Sequence, residues 1–298
     1  IESGELVARI NVATLKGGVV TDRRAGRTDS KPVLEAVDAK ISQDQATFKF
    51  ISTREHRGVL WIKDPVEPLS PGISDTDPGE NGKPIAESKA RIDDPVAEKT
   101  ADMINKLNEQ ILDALADRDQ GNCVLMRGFS TKPGLKPLSE LHGLNCLAIA
   151  DYPLYRGLAK LMGMELAEPL PELENKIQQL QKGYSEGYTF FFIHYKTPDS
   201  KGEDKNFPAK VEALEAFDAD FPKIMEIMKS ESDVVALTGD HSTPSRMGSH
   251  SYHCVPLALF SSGNRGYEMA RGFDENACLK GSLGRMKGME LMSCLLAR

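Results

Sequence analysis

The sequence predicts an α/β protein in two units, and three observations carry that prediction. From about residue 95 onward, β-rich apolar runs alternate with amphipathic helical stretches, the βα order of a mostly parallel sheet flanked by helices. Residues 1 to about 64 instead read as several strands around one short helix, a smaller α+β unit. Between them, residues 64–95 are rich in Pro, Asp, Gly and Ser, as in a linker or long functional loop. The expected division is 1–90, the α+β unit with its linker, and 91–298, the larger α/β unit.

In the first unit, Leu6–Val12 alternates as a half-buried strand, Gly17-Gly18 turns the chain, and Val19–Thr21 starts a second strand. A short helix near Pro32–Lys40 follows, then strands at Ala46–Ile51 and Val59–Ile62, with Trp61 expected in the core. In the second unit, Pro95–Ala116 carries apolar residues at Val96, Met103, Ile104, Leu107, Ile111, Leu112 and Leu115, one face of a helix. Strands at Asn122–Met126 and Asn145–Ala150 and a helix at Leu154–Leu161 come next. Tyr188–Tyr195 and Asp233–Leu237 are further strands, separated by an amphipathic helix from about Phe207 to Lys229. A strand–helix–strand unit of that length is normally a right-handed crossover between parallel strands.

Composition excludes several functions. The chain has 298 residues and a net charge of −7 with no dominant basic stripe, so nucleic acid is not the expected partner. No apolar run approaches the ~18 residues needed to cross a membrane. The N-terminus lacks the basic start and apolar core of a signal peptide. It also lacks an initiator Met, which predicts that the chain starts inside a longer protein. The five cysteines are widely spaced with no CxxC pair, which fits reduced thiols in a cytoplasm.

The chemistry concentrates at two strand ends. Thr238-Gly-Asp-His-Ser-Thr-Pro244, followed by His250-Ser-Tyr-His253, places an acid and several imidazoles directly after an apolar run. Carboxylate and imidazole donors suit zinc, manganese and similar ions, and α/β sheets bind ligands at the carboxyl ends of their strands. The plainer alternative is an N-capping turn that opens a helix. The strand ending near Tyr195 delivers Asp199, with Glu203 and Asp204 close behind. Asp199 and Asp240 are therefore expected on one rim of one sheet, where two ions about 4 Å apart suit phosphoryl chemistry.

Basic residues cluster elsewhere. Asp22-Arg23-Arg24-Ala25-Gly26-Arg27 and Arg54-Glu55-His56-Arg57 gather guanidinium groups at strand ends, a pattern suited to a small anionic substrate, the alternative being solvated charged turns. Arg127 and Arg156 follow predicted strands on the metal-bearing half and are further candidates. Of the remaining residues, His194 reads as a packed core histidine and His142 as surface. His253 is equally suited to solvent or to the site, Asp151 to an N-cap or the site, and Lys196 to contacting phosphate or not.

Taken together, Gly18–Arg27, Glu55-His56-Arg57, Ser74-Asp-Thr-Asp-Pro78, Tyr155-Arg-Gly-Leu-Ala159, Asp199–Glu203, Thr238–Pro244 and His250–Pro256 resemble the archaeal-type cofactor-independent phosphoglycerate mutases of the alkaline phosphatase superfamily. The resemblance spans essentially the whole chain in the family's order. It implies an alkaline-phosphatase-like metal domain with a smaller inserted substrate domain. It further implies interconversion of 3-phosphoglycerate and 2-phosphoglycerate through a phosphoserine, independent of 2,3-bisphosphoglycerate. Two divalent ions are implied, manganese first, with magnesium, cobalt or zinc in some members. Asp199, Glu203 and His250 would hold one ion, and Asp240 with His241 would help hold the other. Asp22, Arg23, Arg24, Arg27, His56 and Arg57 would line the substrate side, with Arg127 and Arg156 reaching its phosphate or carboxylate. Glu203 stands where many members carry His, a change expected to tune metal preference. The family's nucleophilic serine and first metal aspartate are expected upstream of Ile1, so this polypeptide alone is expected to show impaired activity. The competing readings are a metal-dependent phosphohydrolase or another phosphomutase on the same scaffold, and a non-catalytic anion- or metal-binding remnant.

Overall fold

The computed structural model describes residues 2–43, 46–261 and 272–297. Two compact units emerge, Ile1–Gly134 and Leu135–Arg298.

Unit 1 is organised by one long strand, β1 (Leu6–Lys16). The Gly17-Gly18 turn sends the chain back as β2 (Val19–Asp22), both glycines holding positive φ that an L side chain would resist. After α1 (Lys31–Asp38), β3 (Thr47–Ser52) pairs antiparallel with β4 (Arg57–Lys63), and β4 pairs antiparallel with β1. The amphipathic helix α2 (Pro95–Ala114) starts at an Asp94 N-cap whose carboxylate accepts from the Val96 N–H. The next strand, β5 (Cys123–Thr131), returns to pair antiparallel with β1. Alternation sorts the sheet's faces: Leu6, Ala8, Ile10 and Val12 point into a core with Ile104, Leu107 and Ile111 of α2 and Val33 and Leu34 of α1.

This pairing moves the unit boundary. The sequence placed α2 and β5 with residues 91–298, but β5 is hydrogen-bonded to β1 and α2 fills the first core. An amphipathic period shows that a helix covers something, not which sheet it covers. Trp61, expected in the core, is half-buried on the other face, where its indole N–H donates to Glu5 at 2.9 Å.

Unit 2 has the α/β alternation the sequence predicted. Its elements run α3 (Leu138–His142), β6 (Cys146–Ile149), α4 (Pro153–Leu161), β7 (Glu165–Leu166), α5 (Leu173–Ser185) and β8 (Phe190–Ile193). They continue as α6 (Thr197–Glu203), α7 (Phe207–Ile227), β9 (Val234–Thr238), β10 (Leu257–Ser261), α8 (Glu275–Cys278) and α9 (Leu291–Leu296). β6 pairs in parallel with both β7 and β8. Leu147 and Ile149 face α5 and α7, whereas Cys146 and Ala148 face Ala159 of α4, so helices cover both sides.

One expectation fails here. β9 was read as a buried strand parallel to β8; it is half-buried and pairs antiparallel with β10. The loop after β9 turns the chain back so that the short apolar run Leu257–Ser261 takes the ladder. The strand ends nevertheless converge, as the site geometry shows. All five cysteines are free, with Cys123 and Cys146 buried. No helix among the described residues is long and apolar enough to cross a membrane.

Candidate metal centre and anion-binding face

The two ligand-bearing segments of unit 2 meet. Asp199 lies in the first turn of α6, whose Pro198 suits a helix start. Asp240 and His241 follow β9 in a turn segment; no helix opens there, so the capping alternative for Gly-Asp-His-Ser-Thr-Pro is not what forms. An isolated antiparallel bridge between Ser242 and Ser251, with Ser251 N–H donating to Ser242 O at 2.9 Å, closes the loop. It returns His250 to His241, and their rings stack at 3.8 Å between centroids.

Asp199, His241 and His250 each offer one donor atom within 4.8 Å of one another. Glu203 lies 3.6 Å from His250 Nε2, and Asp240 Oδ2 lies 3.3 Å from His241 Nε2. All five ligands expected from the sequence therefore sit in one contiguous patch. The tightest trio joins Asp199 to both histidines, cutting across the division of ligands expected between two ions.

Thr243, which sequence reasoning passed over, organises this patch. Its buried hydroxyl donates to Asp199 Oδ1 and lies 3.1 Å from His241 Nδ1. Its carbonyl accepts from Lys210 Nζ at 2.7 Å. Lys196 forms an ion pair with Asp199 and stands 4.0 Å from Glu203. Burial pushes the Asp199 carboxyl up, but hydrogen bonds from Lys196 and Thr243 and the Lys196 charge outweigh it and hold the group below the usual carboxylate range. Asp199 is thus an anion, ready for a cation.

The remaining unit 2 candidates have other partners. Arg156, expected to reach the substrate, donates Nη1 to the carbonyls of Ala150 and Ala167 at 2.9 and 2.7 Å, tying the ends of β6 and β7 together. Asp151 pairs with the buried Lys176 at 2.6 Å. His253 hydrogen-bonds Ser251 at 2.7 Å and stacks on Tyr252, away from the trio. His142 is exposed at the end of α3.

Unit 1 carries a cationic face. Arg9 of β1 stands opposite Arg127 of β5, and its neighbour on that face, Asn11, stands opposite Arg57 of β4. Arg127, expected on the metal-bearing half, therefore belongs here. Arg23 donates through Nε and Nη2, each 2.8 Å from a different oxygen of Asp77, while Arg127 Nε lies 3.9 Å from the same carboxylate. Burial pushes the Asp77 carboxyl up, and hydrogen bonds from Arg23 and the Gly79 N–H more than reverse this, with the charges of both arginines assisting. Asp77 comes from the Pro- and Asp-rich loop, which is laid along β5: Met126 N–H donates to Thr76 Oγ1 at 2.9 Å and Gly128 N–H to Asp75 at 2.8 Å. The Ser74–Pro78 signature was visible in the sequence; its job was not.

Asp22, expected to line the substrate, accepts from the Arg24 and Gly26 N–H groups at 2.8 and 2.6 Å and so shapes the turn presenting exposed Arg24 and Arg27. His56 is buried, and burial followed by the nearby Arg57 charge lowers its pKa, so it is neutral at pH 7. Arg57 Nε, Arg127 Nε and His56 Nδ1 are buried without a hydrogen-bond partner. Such orphans are uncommon in folded proteins, and a water, an ion or a ligand can each supply the missing partner.

Known proteins agree with both halves. The family model of 2,3-bisphosphoglycerate-independent phosphoglycerate mutase matches residues 1–120, and that of the metalloenzyme superfamily matches residues 96–298. A relative from Thermosipho melanesiensis, named "Probable 2,3-bisphosphoglycerate-independent phosphoglycerate mutase", is 39% identical over 100% of this chain, which covers 73% of the relative. One from Thermus thermophilus is 41% identical over 99% of this chain and 72% of its own length. The solved cofactor-independent phosphoglycerate mutase from Thermoplasma acidophilum shares the fold with a TM-score of 0.69 at 26% identity, over 100% of this chain and 78% of that one. The chain belongs to the 2,3-bisphosphoglycerate-independent phosphoglycerate mutases, isomerases of a metalloenzyme superfamily that bind divalent metal.

Proposed function

We propose that the protein interconverts 3-phosphoglycerate and 2-phosphoglycerate, with the metal chemistry on unit 2 and anion recognition on unit 1. The observation that carries this reading is the meeting of Asp199, His241 and His250, with Glu203 and Asp240 against them. Carboxylate oxygen with imidazole nitrogen is a donor set for a borderline divalent ion, and manganese is the first choice. Asp199, Glu203 and His250, with Asp240 and His241, would hold two such ions. Ions held there would supply positive charge to the transferring phosphoryl group and its attacking and leaving oxygens. The phosphoryl group rests on the phosphoserine that the family resemblance implies.

The protein's own groups supply the rest. Lys196, poised between Asp199 and Glu203, gives one positive charge at the same rim. On unit 1, Arg23, Arg24, Arg27, Arg57 and Arg127 offer planar donors for phosphate and carboxylate, with Asp22 and Asp77 fixing how two of these segments present them. Neutral His56 offers a hydrogen bond without adding charge. Arg156, engaged with backbone carbonyls, is left out of this set.

The test is a coupled assay. Full-length protein is stripped of metal, given manganese, and supplied with 3-phosphoglycerate and enolase, without 2,3-bisphosphoglycerate. Metal-dependent phosphoenolpyruvate formation, lost in Asp240→Ala and sharply reduced in Arg23→Ala, is the expected result. Release of inorganic phosphate without isomerisation would instead identify a phosphohydrolase.

A further inference from the structure

Tyr155 sits where no ligand or substrate role has been assigned, and it touches the metal patch. It lies in the first turn of α4, directly after β6. Its hydroxyl hydrogen-bonds Asp240 Oδ2, an interaction spanning 85 positions of sequence. The other oxygen, Asp240 Oδ1, accepts from the His241 N–H at 3.0 Å. The carboxylate is therefore gripped at both oxygens, once from its own segment and once from across the unit.

The phenol ring is itself held. It lies over the His194 imidazole with centroids 4.2 Å apart and a 34° tilt, and 5.9 Å from Phe192. His194 is fixed to β6 through its backbone N–H, which donates to Ile149 O at 3.0 Å. Its Nδ1 is buried without a hydrogen-bond partner, and the face of the ring carries the contact with Tyr155. β8, β6 and α4 together build a shelf that aims one hydroxyl at one carboxylate. That matters because β9, which carries Asp240, takes its backbone hydrogen bonds from β10 and not from the β6–β8 sheet.

We propose that Tyr155 is a positioning residue, which orients the Asp240 carboxylate toward its metal ion while His194 sets the angle of the phenol. The inference rests on the reading of Asp240 as a metal ligand. A partner of this kind, outside the ligand set, typically changes metal affinity about 10- to 100-fold when removed.

The experiment compares the metal-stripped chain with Tyr155→Phe, His194→Ala and Asp240→Ala. Manganese binding is followed by calorimetry and by the electron paramagnetic resonance spectrum of the bound ion. Tyr155→Phe keeps the ring stack and removes only the hydroxyl, so its circular dichroism and Tm are expected to match the parent. Its manganese affinity is expected to fall about 10-fold, with an altered spectrum, and His194→Ala is expected to shift both in the same direction. Asp240→Ala is expected to lose more. Parent-like affinity and spectrum in Tyr155→Phe, alongside weakened binding in Asp240→Ala, would overturn the positioning role alone. Parent-like binding in both would overturn the ligand reading and the positioning role with it.

Discussion

Gly202 of α6 and Thr243 of the loop after β9 are packed so closely that a methyl group on Gly202 would stand 2.4 Å from the Thr243 carbonyl oxygen. Only glycine permits this approach, and the approach brings Asp199 beside His241. Gly202 has no positive φ, so helix propensity alone would make Gly202→Ala stabilising by up to about 1 kcal/mol. Backbone overlap predicts the opposite sign, a loss of about 1–3 kcal/mol as the helix and loop are forced apart. Thermal unfolding and manganese titration check both consequences, and a raised Tm with unchanged binding would refute the account of this contact.

Thr243→Val should keep the shape of the buried site and remove its hydroxyl. The tie from Thr243 to Asp199 and its 3.1 Å contact with His241 Nδ1 would go, leaving the carboxylate with the Lys196 ion pair and the longer contacts to His241 and His250. Manganese affinity is expected to weaken about 10-fold, with Thr243→Ser retaining most of it. Calorimetry on the metal-stripped protein decides.

Asp77→Asn separates substrate recognition from metal binding. Asparagine cannot make the paired ionic contact with Arg23, so KM for 3-phosphoglycerate is expected to rise while manganese affinity stays constant. The same variant tests acid stability. Because Asp77 has a lowered pKa in the fold, its stabilisation is present above the unfolded value of about 3.9 and is lost as pH falls through the folded value. Denaturant titrations from pH 6 to pH 3 should show the parent losing stability in acid more steeply than Asp77→Asn.

Two histidines, His56 buried and His194 half-buried, predict a second pH window with the opposite chemistry. Burial lowers the pKa of both His56 and His194, most strongly assisted at His56 by Arg57. Well above the unfolded value of about 6.5 these groups are neutral in both states and contribute nothing to the slope. Below it, the unfolded chain takes up protons that the fold resists, so stability falls as pH decreases toward the folded values. Unfolding midpoints between pH 8 and pH 5 should decline, and His56→Gln should flatten part of that decline.

What could be read in advance was the chemistry carried by contiguous residues. Asp240 and His241 follow an apolar run, and Asp199 and Glu203 share one short segment, so strand-end logic singles them out as candidates, and the fold brings them into one patch. Thr243, Asp77 and Tyr155 escaped because each works through a distant partner: Arg23 and Asp77 are 54 positions apart, and Tyr155 and Asp240 are 85. Arg156 shows the same non-locality, since the Ala150 and Ala167 carbonyls that engage its Nη1 cannot be seen in sequence. The strand partners were equally non-local. Nothing in the pattern of Cys123–Thr131 says that it pairs with β1, and nothing in Val234–Thr238 says that β10 takes its ladder.

The most direct test of the central claim is a crystal of the protein grown with manganese and measured at the manganese absorption edge. The account predicts an anomalous peak about 2.0–2.2 Å, a typical metal–ligand distance, from the carboxylate of Asp199 and the ring nitrogens of His241 and His250. A protein that binds manganese in solution but shows its peak away from these three residues would contradict it.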